Sequence, residues 1–507
     1  MINIFLHFSL SSRVPKFPKK QGFFGPKATP LYITGEIREL GNDRDGGESS
    51  MESSIILSAD QKAAIAKAKA WFTGGRETQQ VFRLFGYAGT GKSTVQQALL
   101  EELNVDPSEV LFLAPTGKAA SVLIRKGHDA QTIHRALYSQ TGEDDSVYEA
   151  LEREAISIRA KLKLNSLENR EAYLRRLETV ESLMQDSSSR PKPRFSFKGT
   201  TAIDSSVKII IIDECSMVTN EIYNDLVSLE LPLMLVGDPG QLPPVDDSRS
   251  KEPLLVTDVP NPDVMLEKVV RQKGDSTILD LATMVRSGEP FGFGVSEVDH
   301  VAYVDGRGCR GDIQQIFEKA GVEYPEYFDK IICGKNATRF AINEYMKRKY
   351  GIRHTFPMGA KDEKLVVLRN IFIGDHFIAN GAEIRVEEDR TRESEIRPYY
   401  KDEYAIDYPV TITSVDGKQT RLPGASLWKL PFEGEHEFKA RQRTEDYAAR
   451  PLVYAQWSWA MTAHKSQGSE WEKVCVFDES DAFRENWRRW LYTAVTRASR
   501  DLLIIKV

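Results

Sequence analysis

The feature that most limits how this chain can fold is the stretch Gly86-Tyr87-Ala88-Gly89-Thr90-Gly91-Lys92-Ser93, which fits G-x-x-x-x-G-K-[S/T]. It follows an apolar run, VFRLFG, and opens a helical one, TVQQALLEEL. A strand, a glycine-rich turn and a helix in that order make a phosphate cradle. Glycines let backbone N–H groups approach anionic oxygens, and the helix N-terminus adds the positive end of its dipole. Gly86, Ala88, Gly89, Thr90, Gly91, Lys92, Ser93 and Thr94 are therefore the candidate nucleotide-binding set. Lys92 is placed to reach the β- and γ-phosphates, and the Ser93 hydroxyl to ligate Mg²⁺. The bland alternative is a tight glycine turn.

Three further aliphatic runs, VLFLAP, KIIIIDE and LPLMLVGD, alternate with helical stretches. That alternation predicts a parallel sheet covered on both faces. Asp213, ending the IIII run, is placed to hold Mg²⁺ directly or through water, and Glu214 to polarise an attacking water as general base. A solvated carboxylate at a strand end is the alternative for Glu214. Gln241 in GDPGQLPP follows another strand, where a glutamine at the carboxyl edge can touch a γ-phosphate; by itself the segment is a turn.

Composition narrows the class. The chain has 507 residues, 41% hydrophobic and 28% charged, enough for two to four domains with real cores. Its four cysteines, Cys215, Cys309, Cys333 and Cys475, form no C-x-x-C pair, which argues against a zinc cluster or a disulfide framework. No apolar run approaches a membrane span, so a membrane partner is not expected. A net charge of −6 excludes a histone-like basic coat but leaves room for a locally basic groove.

Organisation follows from patterning. Residues 1–50 read as a basic, disordered tail, or as sequence ahead of a true start near Met51. A targeting presequence is also basic and acid-poor, but the prolines and the missing amphipathic period disfavour it. Residues 146–185 are charged, with leucines at helical spacing, which suggests an inserted helical hairpin. Between about Leu365 and Pro431 short strands with Gly and Asp turns suggest an inserted β-barrel, Asn380 and Gly381 being turn residues. Trp457, Trp459 and Trp471 suit either a stacking platform or, as the favoured reading, the core.

GYAGTGKST, APTGKAA, QTIH, IIIIDECSM, GDPGQLPPV, VVRQ, AMTAHKSQGSEW and LYTAVTRA occur in the order of the motifs of superfamily 1 helicases. From about Leu57 onward the chain resembles the 1B branch of RecD and phage Dda, which moves 5′ to 3′. The resemblance implies an α/β chain with two RecA-like P-loop NTPase domains, parallel sheets with flanking helices, at 51–270 and 271–507. It implies a hairpin-bearing insertion at about 140–205 in the first and an SH3-like barrel at about 365–445 in the second.

By position, Gln61 matches an adenine-reading glutamine, and Arg271 and Arg497 match arginines that approach the γ-phosphate from the second domain. Gln467, Gly468 and Glu470 match positions near the nucleotide, Glu470 toward the ribose; Tyr492 needs no role beyond packing. Thr116, His134, Thr462 and His464 are candidate strand contacts, suited to hydrogen bonding phosphate without reading sequence. Phe195 and Phe197 in RFSFKG are either a strand-splitting pin or core. The implied function is an ATP- and Mg²⁺-dependent DNA helicase that translocates 5′ to 3′, acting as a monomer on single strands and duplex junctions. Single-strand-binding or replication proteins are the implied partners, and bacterial or virus-infected cytoplasm or nucleoid the implied place. An RNA or RNA–DNA helicase and a protein-stripping translocase are the alternatives.

Overall fold

In the computed structural model, the described residues are chiefly 57–143, 193–244, 261–269, 277–295, 301–353, 363–368, 371–373, 376–378, 380–386 and 452–507, with short pieces within 158–180 and 405–428. The N-terminal tail, most of the charged segment at 146–185, Arg271 and much of the second insertion lie outside them. Two compact units emerge. One draws on Met1–Ala130, Ser206–Arg353 and Trp457–Val507, the other on Gln131–Ser205 and His354–Gln456.

The first unit carries two six-stranded sheets. The first sheet contains β1 (Val81–Gly86), β2 (Val110–Ala114), β3 (Ile209–Ile212), β4 (Leu233–Gly237) and β5 (Val264–Leu266). Their order is β2-β3-β4-β1-β5, with a short edge strand, Ala130–Thr132, beside β2. Neighbours among the five run parallel. The four isoleucines of β3 are fully buried, although successive side chains leave opposite faces of a strand. Helices therefore cover both faces, which is what a continuous aliphatic run requires.

The second sheet contains β6 (Gly294–Val295), β7 (Val301–Asp305), β8 (Lys330–Cys333), β9 (Ala460–Thr462), β10 (Trp471–Asp478) and β11 (Ala498–Lys506). Its order is β9-β8-β10-β11-β7-β6. Only β6 runs antiparallel to its neighbour. Each sheet has its own core, one around Phe82, Leu99, Phe112 and Ile211, the other around Leu281, Val476, Trp490 and Ile504. These are two RecA-like domains, as the motif order implies.

Helices pack where caps and apolar stripes put them. α1 (Ala59–Ala70) starts at a capping box: Ser58 Oγ accepts from Gln61 N at 3.2 Å, and Gln61 Oε1 accepts from Ser58 N at 2.9 Å. α2 (Lys92–Leu103) follows the phosphate loop, and α3 (Gly117–Arg125) is N-capped by Thr116. α4 (Asn220–Val227), α5 (Thr277–Ser287), α6 (Asn336–Lys349) and α7 (Trp487–Val495) follow along the chain.

In the second unit, Tyr138–Glu143 pairs antiparallel with Pro193–Phe197, setting Phe197 opposite Tyr138 and Phe195 opposite Gln140. RFSFKG is thus one arm of a hairpin. From the charged insertion, Ile158, Tyr173, Leu177 and Val180 pack together. The later strands Leu365–Val367, Glu383–Val386, Val410–Thr413 and Gln419–Leu422 form an antiparallel sheet. Ile371–Ile373 and His376–Ile378 form a separate hairpin.

Candidate nucleotide and strand site

Parallel strands gather their loops at one edge, where ligands of such sheets bind. Register aligns Phe85 of β1 with Gly237 of β4, and Ile212 of β3 with Leu235 of β4. The glycine loop, Asp213-Glu214 and the Gln241 turn therefore leave the sheet side by side.

Gly89 and Gly91 take left-handed backbone angles, with φ of 75° and 80°. At Gly91 a Cβ would also run into the amide end of Gln61, and the positive φ disfavours any side chain there. Gln61 braces the loop by donating to Thr90 O at 3.2 Å. Both ends of its amide are thus engaged within the chain, and an adenine base would have to compete for them. Lys92 Nζ folds over the loop onto the carbonyls of Gly86 (2.7 Å) and Tyr87 (3.1 Å). Ser93 Oγ accepts from Lys126 Nζ at 2.8 Å, which places an ammonium beside the hydroxyl expected to hold Mg²⁺.

Asp213 accepts from the N–H of Glu214 at 2.9 Å, and Glu214 itself is left-handed at φ 53°, strained for a residue with a side chain. Both carboxyls are held above their ordinary pKa. Burial is the main cause for each, and for Glu214 the neighbouring Asp213 adds to it. Lys92 and Lys126 act the other way on Asp213, as Arg497 and Lys92 do on Glu214. Two adjoining carboxyls that cannot both ionise cheaply, beside a serine hydroxyl, are a donor set suited to a divalent cation. The glycine cradle, lysine and acids therefore fit Mg²⁺ and a nucleotide triphosphate. Among the described residues no cluster of three or more His, Cys, Asp or Glu suggests another metal.

The Gln241 turn is fastened to the second sheet. Leu242 N donates to Thr493 Oγ1 at 2.9 Å, and Gln467 Nε2 donates to Leu242 O at 2.8 Å. Gln241 is 6% exposed and its Oε1 has no hydrogen-bond partner, a polar atom buried with its capacity unspent. Tyr492 does more than pack: its hydroxyl accepts from Ala88 N at 2.8 Å and donates to Asp238 Oδ2 at 2.7 Å. Burial and the Asp238 carboxylate push that phenol well above its ordinary pKa, so the proton stays on the oxygen.

Arg497 lies between α7 and β11, and its charge acts to lower the Glu214 carboxyl's pKa against the upward push of burial. Its guanidinium donates to Thr493 O (3.0 Å), Ser469 O (2.9 Å) and Thr496 Oγ1 (3.1 Å), which hold it in one orientation. Gly468, at φ 70°, lies against Ala119 of α3, where an added Cβ would come within 3.2 Å. Glu470 is exposed.

The strand candidates divide between the units. Thr116, Thr462 and His464 belong to the two-sheet unit. Thr116 Oγ1 accepts from Ala119 N at 3.2 Å, so part of its hydrogen-bonding capacity is spent on the cap. Thr462 is buried, aligned with Cys333 on neighbouring strands. His464 lies beside Phe483, and burial keeps its imidazole below its ordinary pKa. His134 and Phe197 belong to the other unit and share a row of rings, with His134 5.2 Å from Tyr138 and Tyr138 5.6 Å from Phe197. The Phe195 side chain lies outside the described residues.

Trp457 and Trp459 are core, stacked at 5.3 Å. Trp471 differs, with Lys118 Nζ 4.4 Å and Lys330 Nζ 5.5 Å from its ring. No helix among the described residues is long and apolar enough to cross a membrane.

Several known proteins resemble this chain in sequence or fold. A model of an AAA domain matches residues 56–303, and a UvrD-like helicase C-terminal domain matches residues 458–505. The ATP-dependent RecD2 DNA helicase of Deinococcus radiodurans is 24% identical over 82% of this chain, which spans 45% of that protein's length. Among solved structures, the Pif1 helicase of Candida albicans aligns over 90% of this chain and 95% of its own, at 17% identity and a TM-score of 0.43. Bacteroides Pif1 bound to single-stranded DNA aligns over 89% and 92%, at 14% identity and a TM-score of 0.44.

Proposed function

We propose that this chain is a RecD-like helicase of superfamily 1B, an ATP-dependent DNA helicase moving 5′ to 3′ along single-stranded DNA. The observation that carries the reading is the joint construction of one site. Lys92 opens α2, Asp213 and Glu214 follow β3, and Arg497 lies between α7 and β11; hydrogen bonds from Ala88 to Tyr492 and from Leu242 to Thr493 tie the two halves together.

Bound Mg²⁺ would be held by Ser93 and Asp213 and would supply charge neutralisation at the phosphates. The chain's own groups do the rest. The glycine loop and Lys92 hold the nucleotide, Glu214 takes a proton from water, and Gln241 orients that water. Arg497 offsets charge that develops during transfer, an effect worth roughly a thousandfold or more in rate. Because donors come from both sheets, hydrolysis depends on how the sheets close, and closing shifts the grip on the strand. Thr116, Thr462 and His464 are the proposed backbone contacts, with His134 and the Phe195–Phe197 hairpin acting at the duplex junction.

A fork assay tests this. Duplexes with only a 5′ or only a 3′ single-stranded tail, built of DNA or RNA, are incubated with and without ATP. Opening of 5′-tailed DNA forks alone, and only with ATP, is expected. Opening of 3′-tailed forks refutes the polarity, preference for RNA refutes the substrate, and ATP turnover without opening points to a translocase.

A further inference from the structure

The turn bearing Gln241 is held on both sides by α7, the helix that leads into Arg497. Ahead of Gln241, Asp238 is 1% exposed, accepting from Tyr492 through Oδ2 and from Gly240 N through Oδ1 at 2.8 Å. Behind it, Leu242 N is tied to Thr493 Oγ1. Gln241 and Arg497 thus ride on one braced module. The Tyr492 hydroxyl also ties that module to the phosphate loop, through the N–H of Ala88, 404 residues away in sequence.

A phenol has one proton to give and lone pairs to receive. Here the carboxylate takes the proton and the loop N–H takes a lone pair, so both directions are fixed. We infer that Tyr492 is a positioning residue that sets the register of Gln241 and Arg497 against the Lys92 loop. The inference rests on the ATP-driven reading above and names a determinant of the same reaction. Phenylalanine would fill the ring's space while leaving a part-buried N–H and a buried carboxylate oxygen without their partner. Because Asp238 Oδ1 holds Gly240, a carboxylate that shifts carries the backbone ahead of Gln241 with it. Nucleotide binding draws on Lys92 and on glycine-loop N–H groups other than that of Ala88, so it changes little, whereas the chemical step relies on alignment and falls much further.

The test compares wild type, Tyr492→Phe, Asp238→Asn and the double variant in the full chain. Affinity for a fluorescent non-hydrolysable ATP analogue, and kcat and KM for ATP with saturating single-stranded DNA, are measured. Tyr492→Phe should keep affinity and KM within about twofold while kcat falls about tenfold or more. Asp238→Asn weakens the same bond from its other end and is an independent variant should the tyrosine change impair folding. The double variant should be no slower than the slower single one, because the bond is lost only once. Wild-type kcat in Tyr492→Phe, or losses that multiply in the double variant, would overturn the assignment. Absence of strand-stimulated turnover in the wild type would instead remove the reading beneath it.

Discussion

Ser93, Lys92 and Gln61 each spend on the chain itself the atoms that nucleotide chemistry would use. Ser93 Oγ holds Lys126, Lys92 holds two loop carbonyls, and Gln61 caps α1 and braces Thr90. Such bonds keep a buried polar loop satisfied, and a phosphate oxygen or cation must offer more than they do. His464 gives a residue-scale prediction. Its folded pKa lies below the ordinary 6.5, so the folded chain binds that proton less readily than the unfolded one. The stability from the neutral ring is therefore full above 6.5 and is lost as pH falls through the folded value. The thermal midpoint should drop as pH is lowered in that window, and His464→Gln should flatten the drop; an unaltered pH profile in the variant would assign the drop to other groups. Residue identities in the glycine loop were readable because the motif's chemistry is local. The roles of Lys126 and Tyr492 were not, since neither belongs to a local pattern that names its partner.

At the level of elements, caps decide where helices start. Thr116 ends β2's loop and caps α3, so Thr116→Ala should lower folding stability by about 1 kcal/mol, while Thr116→Ser, which keeps a hydroxyl, should lose much less. Denaturant titration of the two variants checks this; equal losses would show that the hydroxyl is not what matters. The strands of the first sheet were legible because each is a continuous aliphatic run bounded by turn residues. The capping box at Ser58 and Gln61 is equally local, as S-x-x-Q, and the same glutamine also matches the nucleotide-binding pattern. Only one arm of the Tyr138–Glu143 hairpin was legible from its aromatic residues. Its partner pairs across a separation of fifty residues or more, and no local pattern encodes that pairing.

For the whole molecule, two separately cored sheets are tied together by contacts between residues far apart in sequence. Leu242 meets Thr493 across 251 residues and Gln467 across 225. Such contacts are set by packing, and motif order could indicate only that the groups would meet, not through which atoms. In the proposed reaction the guanidinium of Arg497 completes the site begun by Lys92. The direct measurement is DNA-stimulated ATP hydrolysis by Arg497→Ala, alongside its nucleotide affinity. Affinity near that of the unaltered chain, with kcat lower by roughly a thousandfold, is the expected result; unchanged turnover would contradict the account.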